Sequence, residues 1–313
     1  MKILFMGSGE LACPAITALL GSTSDSLVGI VTQPDRPKGR NLQLGCCPAA
    51  RLAMASGLKV FQPERIGAPE VVASLRNLQP DLIVVAAYGQ FLPRALLELP
   101  SQGCINIHPS LLPKYRGAAP IQWAIAHGDV VTGVTILHMT VRMDAGDLIL
   151  QETLAVEPED TAESIEPRLA ALGARLMLQS IERIRSHRAP RIPQDESAVV
   201  LAPKIGKADG MIDWTRSATE IRNRIRGFQP WPGCSCECPA GSGRRLKVWQ
   251  AEITDAVGGA PGDVLECGGA GDPVIATGRD ALRLRVVQPE GGRRMSGSDF
   301  ARGARWTAGL KLG

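Results

Sequence analysis

The sequence predicts an α/β chain in two parts: a parallel sheet covered by helices on both faces, then, across a linker, a small β-barrel. Three observations carry this. Apolar runs that read as buried strands alternate with helical patterns through the first half, as in a parallel sheet built from βαβ units. Residues 186–206 then break every periodicity and hold Pro190, Pro193 and Pro203, the composition of a linker. Beyond them, short alternating runs at 246–253, 262–267, 273–277 and 281–288 are bounded by Gly, Pro and Asp, the punctuation of a small barrel. The 313 residues suit two domains, and the boundaries predicted are 1–188, 189–207 and 208–313.

Lys2–Met6 reads as a buried strand, Gly7-Ser8-Gly9 as a turn, and Leu11, Ile16, Leu19 and Leu20 as one helix face. The turn lacks the third Gly of a GxGxxG fingerprint, so it is read as a tight connection and not as a dinucleotide site. Leu27–Thr32 is the second strand. The segment after it, Gln33–Leu42, is polar, carries Arg36, Lys38 and Arg40 with two prolines, and is longer than an ordinary βα connection. Helices are predicted over Pro48–Ser56 and Pro69–Leu78, a strand over Asp81–Ala86, and a loop over Tyr88–Pro93.

The strand Cys104–His108 follows. Asn106 and His108 are two residues apart, so their side chains leave one face together. Pro109 and Pro113 end the strand and stiffen the loop, and Gly117 and Pro120 open a helix through Ile121, Trp123, Ala124 and Ile125. A lone histidine reads as structural. An amide beside an imidazole where a strand gives way to a helix is the place where open α/β sheets bind ligands. Thr132–Met139 alternates as a strand and leads to Asp144-Ala145-Gly146-Asp147, where Asp144 by itself is a turn residue. Thr161 caps a helix that runs through Leu169, Leu172, Leu176 and Ile181. Past the linker come a basic helix, Ala218–Gly227, and a closing helix, Ser296–Gly303; His127 and His138 read as structural or exposed.

Composition narrows the classes. Hydrophobic residues make up 44% and charged ones 21%, as in globular proteins. Aromatic residues are 4%, too few for a base-stacking platform. Residues 1–206 are charge-balanced, so the whole excess of +4 lies in the C-terminal third, which by charge alone fits a polyanionic partner and a solvated basic surface equally. No apolar run reaches membrane-spanning length and no signal-peptide pattern opens the chain; it is expected to be cytoplasmic, with its eight cysteines reduced. Cys234, Cys236 and Cys238 repeat with period two and lack the knuckle spacing of a zinc site, so they are read as buried small hydrophobes, as are Cys46 and Cys47. No metal is expected.

Asn106-x-His108, Ser110-Leu111-Leu112-Pro113 with Arg116-Gly117-Ala118-Ala119-Pro120, and Asp144 with Gly146-Asp147 resemble the core of the 10-formyltetrahydrofolate-dependent formyltransferases. The Gln33–Leu42 loop, the linker, Ile212-Asp213-Trp214, Phe228-x-Pro230-Trp231-Pro232, Lys247-Val248-Trp249 and Arg305-Trp306 are similar to the branch whose acceptor is initiator methionyl-tRNA. The resemblance spans essentially the full length. It departs at Gly7-Ser8-Gly9-Glu10, where the family has Gly-Thr-Pro, and in the Cys- and Gly-rich stretch Gly233–Arg245.

The resemblance implies a Rossmann-like formyltransferase domain followed by an oligonucleotide-binding-type barrel. It implies Asn106, His108 and Asp144 as the catalytic set, with 10-formyltetrahydrofolate as cosubstrate lined by Ser110, Leu111, Leu112, Pro113, Tyr88, Gly89 and Leu92. It implies tRNA contacts at Arg36, Lys38, Arg40, Lys204, Lys207 and Arg222, and a monomer. Two rivals stay open at this point: a formyltransferase with another acceptor or a folate hydrolase, and a catalytically silent RNA-binding protein.

Overall fold

The computed structural model describes residues 1–38, 43–256, 258–268 and 271–313. They form two compact units. One holds Met1–Pro120, Val131–Ala155 and Glu166–Pro203; the other holds Ile121–Val130, Val156–Ile165 and Lys204–Gly313.

In the first unit, strands β1 (Lys2–Gly7) and β2 (Ser26–Val31) are followed by a short hairpin, β3 (Arg36–Lys38) with β4 (Gln43–Gly45). Then come β5 (Val60–Phe61), β6 (Leu82–Ala86), β7 (Cys104–His108), β8 (Arg116–Gly117), β9 (Val131–His138), β10 (Leu148–Ala155) and β11 (Leu201–Ala202). The main sheet has seven strands in the order β10-β9-β7-β6-β1-β2-β5. From β7 to β5 all pairings are parallel. Helices α1 (Cys13–Leu20), α2 (Pro48–Ala55), α3 (Pro69–Arg76) and α4 (Arg94–Leu97) lie in the connections. Every residue of β6 is buried, because helices cover both faces of a parallel sheet, and the run is therefore apolar without alternation.

The expected all-parallel sheet is corrected at one edge: β9 runs antiparallel to β7, and β10 antiparallel to β9. The register sets His108 opposite Thr135 and Ile105 opposite His138. The chain between the two strands therefore returns to the end of β7 that it left, and β9 must run back along it. Helix α5 (Pro120–Ala126) lies in that excursion, and α6 (Ala162–Arg185) follows β10. The stretch read as a linker is paired chain. Ile192 bridges Leu148, and β11 pairs in parallel with β8. Prolines end periodic elements, but the residues between them keep their N–H groups and pair with the nearest free edge.

In the second unit, α7 (Ala218–Gly227) starts with a capping box in which the Ser217 hydroxyl accepts from the Glu220 N–H and the Glu220 carboxylate accepts from the Ser217 N–H. Strands β12 (Cys234–Glu237), β13 (Arg245–Thr254), β14 (Val264–Gly268), β15 (Gly271–Ala276), β16 (Ala281–Pro289) and β17 (Met295–Ser296) follow, then α8 (Gly297–Gly303). They form the expected β domain as an antiparallel sheet, β12-β13-β16-β15-β14 with β17 on β16. Among the described residues no pairing joins β12 to β14. Phe228, fully buried, meets the Trp123 ring edge-on at 5.4 Å within this unit. Among the described residues no helix is long and apolar enough to cross a membrane.

Candidate active site

The alternation along β7 sorts its side chains. Ile107 packs against α6, where a Cβ on Gly173 would come within 2.7 Å of its methyl group. Asn106 and His108 project to the opposite face, as their spacing predicts. The loop between β9 and β10 leans back across that face and brings Asp144 to both of them.

Asp144 collects donors. Its Oδ1 accepts from Asn106 Nδ2 at 3.3 Å, and its Oδ2 accepts from the Gly117 backbone N–H at 2.9 Å. The same Oδ2 lies 3.8 Å from His108 Nδ1, beyond a direct hydrogen bond. On the other side of the ring, His108 Nε2 is 2.9 Å from the Tyr115 carbonyl oxygen. A carbonyl only accepts, so Nε2 carries a proton. Nδ1 is thus the edge free for chemistry, and a proton placed there faces a carboxylate. His108 is 3% exposed, which keeps water from competing for these contacts.

Two glycines shape the site. Asp144 sits at φ 49°, the left-handed region that Asp tolerates. Gly146 follows so close to β9 that a Cβ there would lie 1.7 Å from the His138 carbonyl oxygen. Gly117 has φ 130°, and its Cβ would lie 2.5 Å from the Ala202 carbonyl oxygen. The glycines of the two sequence motifs are thus where the turn and the N–H donor approach neighbouring backbone.

These groups line a cleft of about 460 Å³, walled by apolar side chains that include Leu11, Phe91 and Met143. Tyr88, Gly89 and Leu92 line it as well. The Tyr88 phenol points into the sheet core, where burial pushes its pKa up, and its carbonyl accepts from Gln33 Nε2 at 3.0 Å.

Ser110, Leu111, Leu112 and Pro113 are not brought to the cleft wall. Their loop is stitched to β9: Thr135 Oγ1 donates to the Ser110 carbonyl at 2.6 Å and accepts from the Leu112 N–H at 3.2 Å. Ser110 Oγ donates to the Lys114 carbonyl at 2.6 Å. This loop leads straight to Tyr115, whose carbonyl orients His108. The Tyr115 carbonyl and the Gly117 N–H are the site groups that residue-type reasoning missed, since backbone atoms leave no trace in side-chain chemistry; the neighbouring glycine was the available signal.

The described cations predicted for tRNA fall on different elements. Arg36 and Lys38 fall on β3, and Arg40 lies outside the described residues. Lys204 and Lys207 are exposed. Arg222 is drawn into an internal tie, donating to the Glu159 carboxylate and, at 3.1 Å, to the Pro158 carbonyl. Cys234, Cys236 and Cys238 are buried. Burial pushes Cys234 up to about 12 and Cys238 up to about 11, so these thiols resist the deprotonation that metal ligation and nucleophilic attack require.

A family model described as Formyl transferase matches residues 1–181, and one described as Formyl transferase, C-terminal domain, matches residues 204–305. The methionyl-tRNA formyltransferase of Geobacter metallireducens is 41% identical over 313 residues, covering 100% of this chain and 99% of the relative. That of Symbiobacterium thermophilum is 44% identical over 314 residues, covering 100% and 95%. Among solved structures, a sugar 3N-formyl transferase has a TM-score of 0.66 at 17% identity, over 91% of this chain and 97% of that one. HypX from Aquifex aeolicus in complex with tetrahydrofolic acid has a TM-score of 0.60 at 19% identity, over 96% and 47%. These structural likenesses are likenesses of fold.

Proposed function

The chain belongs to the formyl transferase family, and on that premise we propose that it transfers a formyl group from 10-formyltetrahydrofolate to the α-amine of initiator methionyl-tRNA, acting as a monomer. Full-length relatives named for that acceptor support the reading. The observation that carries it is one carboxylate, Asp144, joined to the Asn106 amide and the Gly117 N–H and facing the free edge of His108.

The reaction needs two services from these residues. The amine attacks the formyl carbon, the C=O π pair moves to oxygen, and a tetrahedral oxyanion forms. Asn106 spends one amide hydrogen on Asp144 and keeps the other for that oxygen. His108 turns Nδ1 toward it, and a proton placed there donates a second bond. Collapse then breaks the bond from N10 to the formyl carbon. The amine loses one proton and N10 gains one, so the step balances without an external acid, and Asp144 is the group placed to pass the proton, directly or through water. No covalent nucleophile is required.

The cleft volume is that of a small-molecule site, and its apolar walls with polar groups at one end suit a flat conjugated cosubstrate that presents one reactive carbonyl. Tyr88, Gly89 and Leu92 are assigned to its wall, with the Ser110–Pro113 loop acting from behind through Tyr115. Arg36, Lys38, Arg40, Lys204 and Lys207 are assigned to tRNA phosphates and unpaired bases; Arg222 serves its own unit. Assay of the purified protein with 10-formyltetrahydrofolate and several acceptors tests the reading. Formylation of charged initiator tRNA is expected, and transfer only to a sugar-nucleotide amine, or hydrolysis alone, would overturn it.

A further inference from the structure

We propose that Gln194 and Arg116 are positioning residues for Asp144, holding the backbone of its turn so that the carboxylate meets Asn106, Gly117 and His108. This rests on the assignment of Asp144 to the reaction.

The side-chain amide of Gln194 donates through Nε2 to two carbonyls of the turn, those of Asp144 and Gly146, each at 2.8 Å. Its Oε1 accepts from Arg116 Nε at 3.0 Å and Nη2 at 2.8 Å. Arginine only donates, so the amide has one orientation: oxygen to Arg116, nitrogen to the turn. Arg116 itself is buried, its side chain 6% exposed, and its other donors pair with Glu196 at 3.1 and 3.2 Å. The Gln194 amide is therefore clamped between a fixed guanidinium and a turn whose central residue is left-handed at φ 49°.

The same segment fixes the second partner of the carboxylate. The Arg116 N–H donates to the Val200 carbonyl at 3.0 Å, and the Ala118 N–H donates to the Ala202 carbonyl at 2.8 Å. Between them lies Gly117, whose N–H reaches Asp144 Oδ2. Residues 194–202 thus act as a strap, gripping the Asp144 turn through Gln194 and the Gly117 donor through β11. A turn free to shift by even about an ångström loses the aim on which transition-state hydrogen bonds depend. Had Gln194 served only overall stability, it would not need to hold both carbonyls that flank Ala145 while itself being held by Arg116.

The test compares Gln194→Met, which keeps length and loses every hydrogen bond, in the wild-type and Asp144→Asn backgrounds. In the wild-type background kcat should fall about 10- to 50-fold, with KM for folate and tRNA changing less than about threefold. In the Asp144→Asn background the same change should alter kcat by less than about threefold, because residues acting through one group are non-additive. Hydrogen exchange in a peptide covering residues 139–147 should quicken about tenfold or more while β1 and β6 keep their protection. Gln194→Glu, which retains the Arg116 pair but turns an oxygen toward the two carbonyls, should resemble Gln194→Met.

Unchanged exchange at 139–147, or an equal kcat loss in both backgrounds, overturns the proposal. The exchange result decides it whatever acceptor the enzyme uses. A normal kcat for Asp144→Asn alone, with exchange still quickened in Gln194→Met, would instead remove Asp144 from the reaction and leave the strap standing.

Discussion

Replacing Asp144 by Asn keeps the shape of the turn and removes only the charge and one acceptor. The carboxylate accepts from Gly117 at 2.9 Å and from Asn106 at 3.3 Å. Hydrogen bonds to a charged group contribute about 1.5–3 kcal/mol each. An amide must turn its NH₂ toward one of these two donors, so one bond becomes a donor–donor conflict. The charge also matters to His108, whose Nδ1 is 3.8 Å away. At that distance a full ion pair is worth about 4 kcal/mol at an effective dielectric of 20, realised only in so far as the imidazole gains charge as the oxyanion forms. A loss of about 3–4 kcal/mol in transition-state stabilisation is the sensible total, and at 1.36 kcal/mol per decade that is roughly 10²- to 10³-fold in kcat. Steady-state formylation of charged initiator tRNA, with KM for both substrates, measures it, and a melting curve checks that the fold survives. A kcat within about threefold of wild type would refute the role given to Asp144.

Arg40→Leu is expected to impair formylation of methionyl-tRNA severely while leaving folate binding nearly unchanged, with Arg40→Lys restoring only part, since a lysine lacks the planar fork; kinetics beside a folate titration read both halves, and equal loss of both affinities would reject the assignment. Phe228→Ala removes a fully buried ring that meets Trp123 at 5.4 Å and lies under Arg224 at 4.9 Å; it should cost about 3–5 kcal/mol in the denaturant-derived unfolding free energy, and a cost below about 1 kcal/mol would mean that the site repacks. His138 is buried with Nε2 unpartnered, and burial first, then Arg191, hold its pKa below the ordinary 6.5, against the opposing pull of the Pro190 carbonyl and Asp147. Below that ordinary value the unfolded chain takes up a proton that the folded chain resists, so stability is retained above it and lost as pH falls toward the folded value, by at most about 1.4 kcal/mol per pH unit. Urea midpoints at pH 7.5 and pH 5 should therefore draw together in His138→Gln, and an unaltered gap would show that His138 does not titrate this way.

Local pattern alone settled much of this protein. Period-two and period-3.6 spacing placed β1, β2, β6, β7 and β9 and most of the longer helices to within a few residues, though not the short elements β3, β4, β5, β8, β11 and α4: Ala218–Gly227 was read in full, and Cys104–His108 with Asn106 and His108 on one face. Such readings succeed because side-chain direction within an element depends only on the residue's own backbone. The motif glycines were also legible, and their reasons are now visible in the backbone carbonyls beside Gly117 and Gly146. Tertiary structure decided the rest. That β9 turns antiparallel, and so lets its following loop lean over β7, depends on where the chain re-enters the sheet. That Ser110–Pro113 supports His108 from behind depends on Thr135, which the antiparallel pairing of β9 brings beside the end of β7. Nothing in the run Ile192-Pro193-Gln194 marks its glutamine, since the carbonyls it holds lie about fifty positions earlier in the chain and offer no side-chain signature of their own. Sequence periodicity encodes which face a residue takes; which distant backbone that face meets is set by strand order and register, and those exist only once the chain has folded.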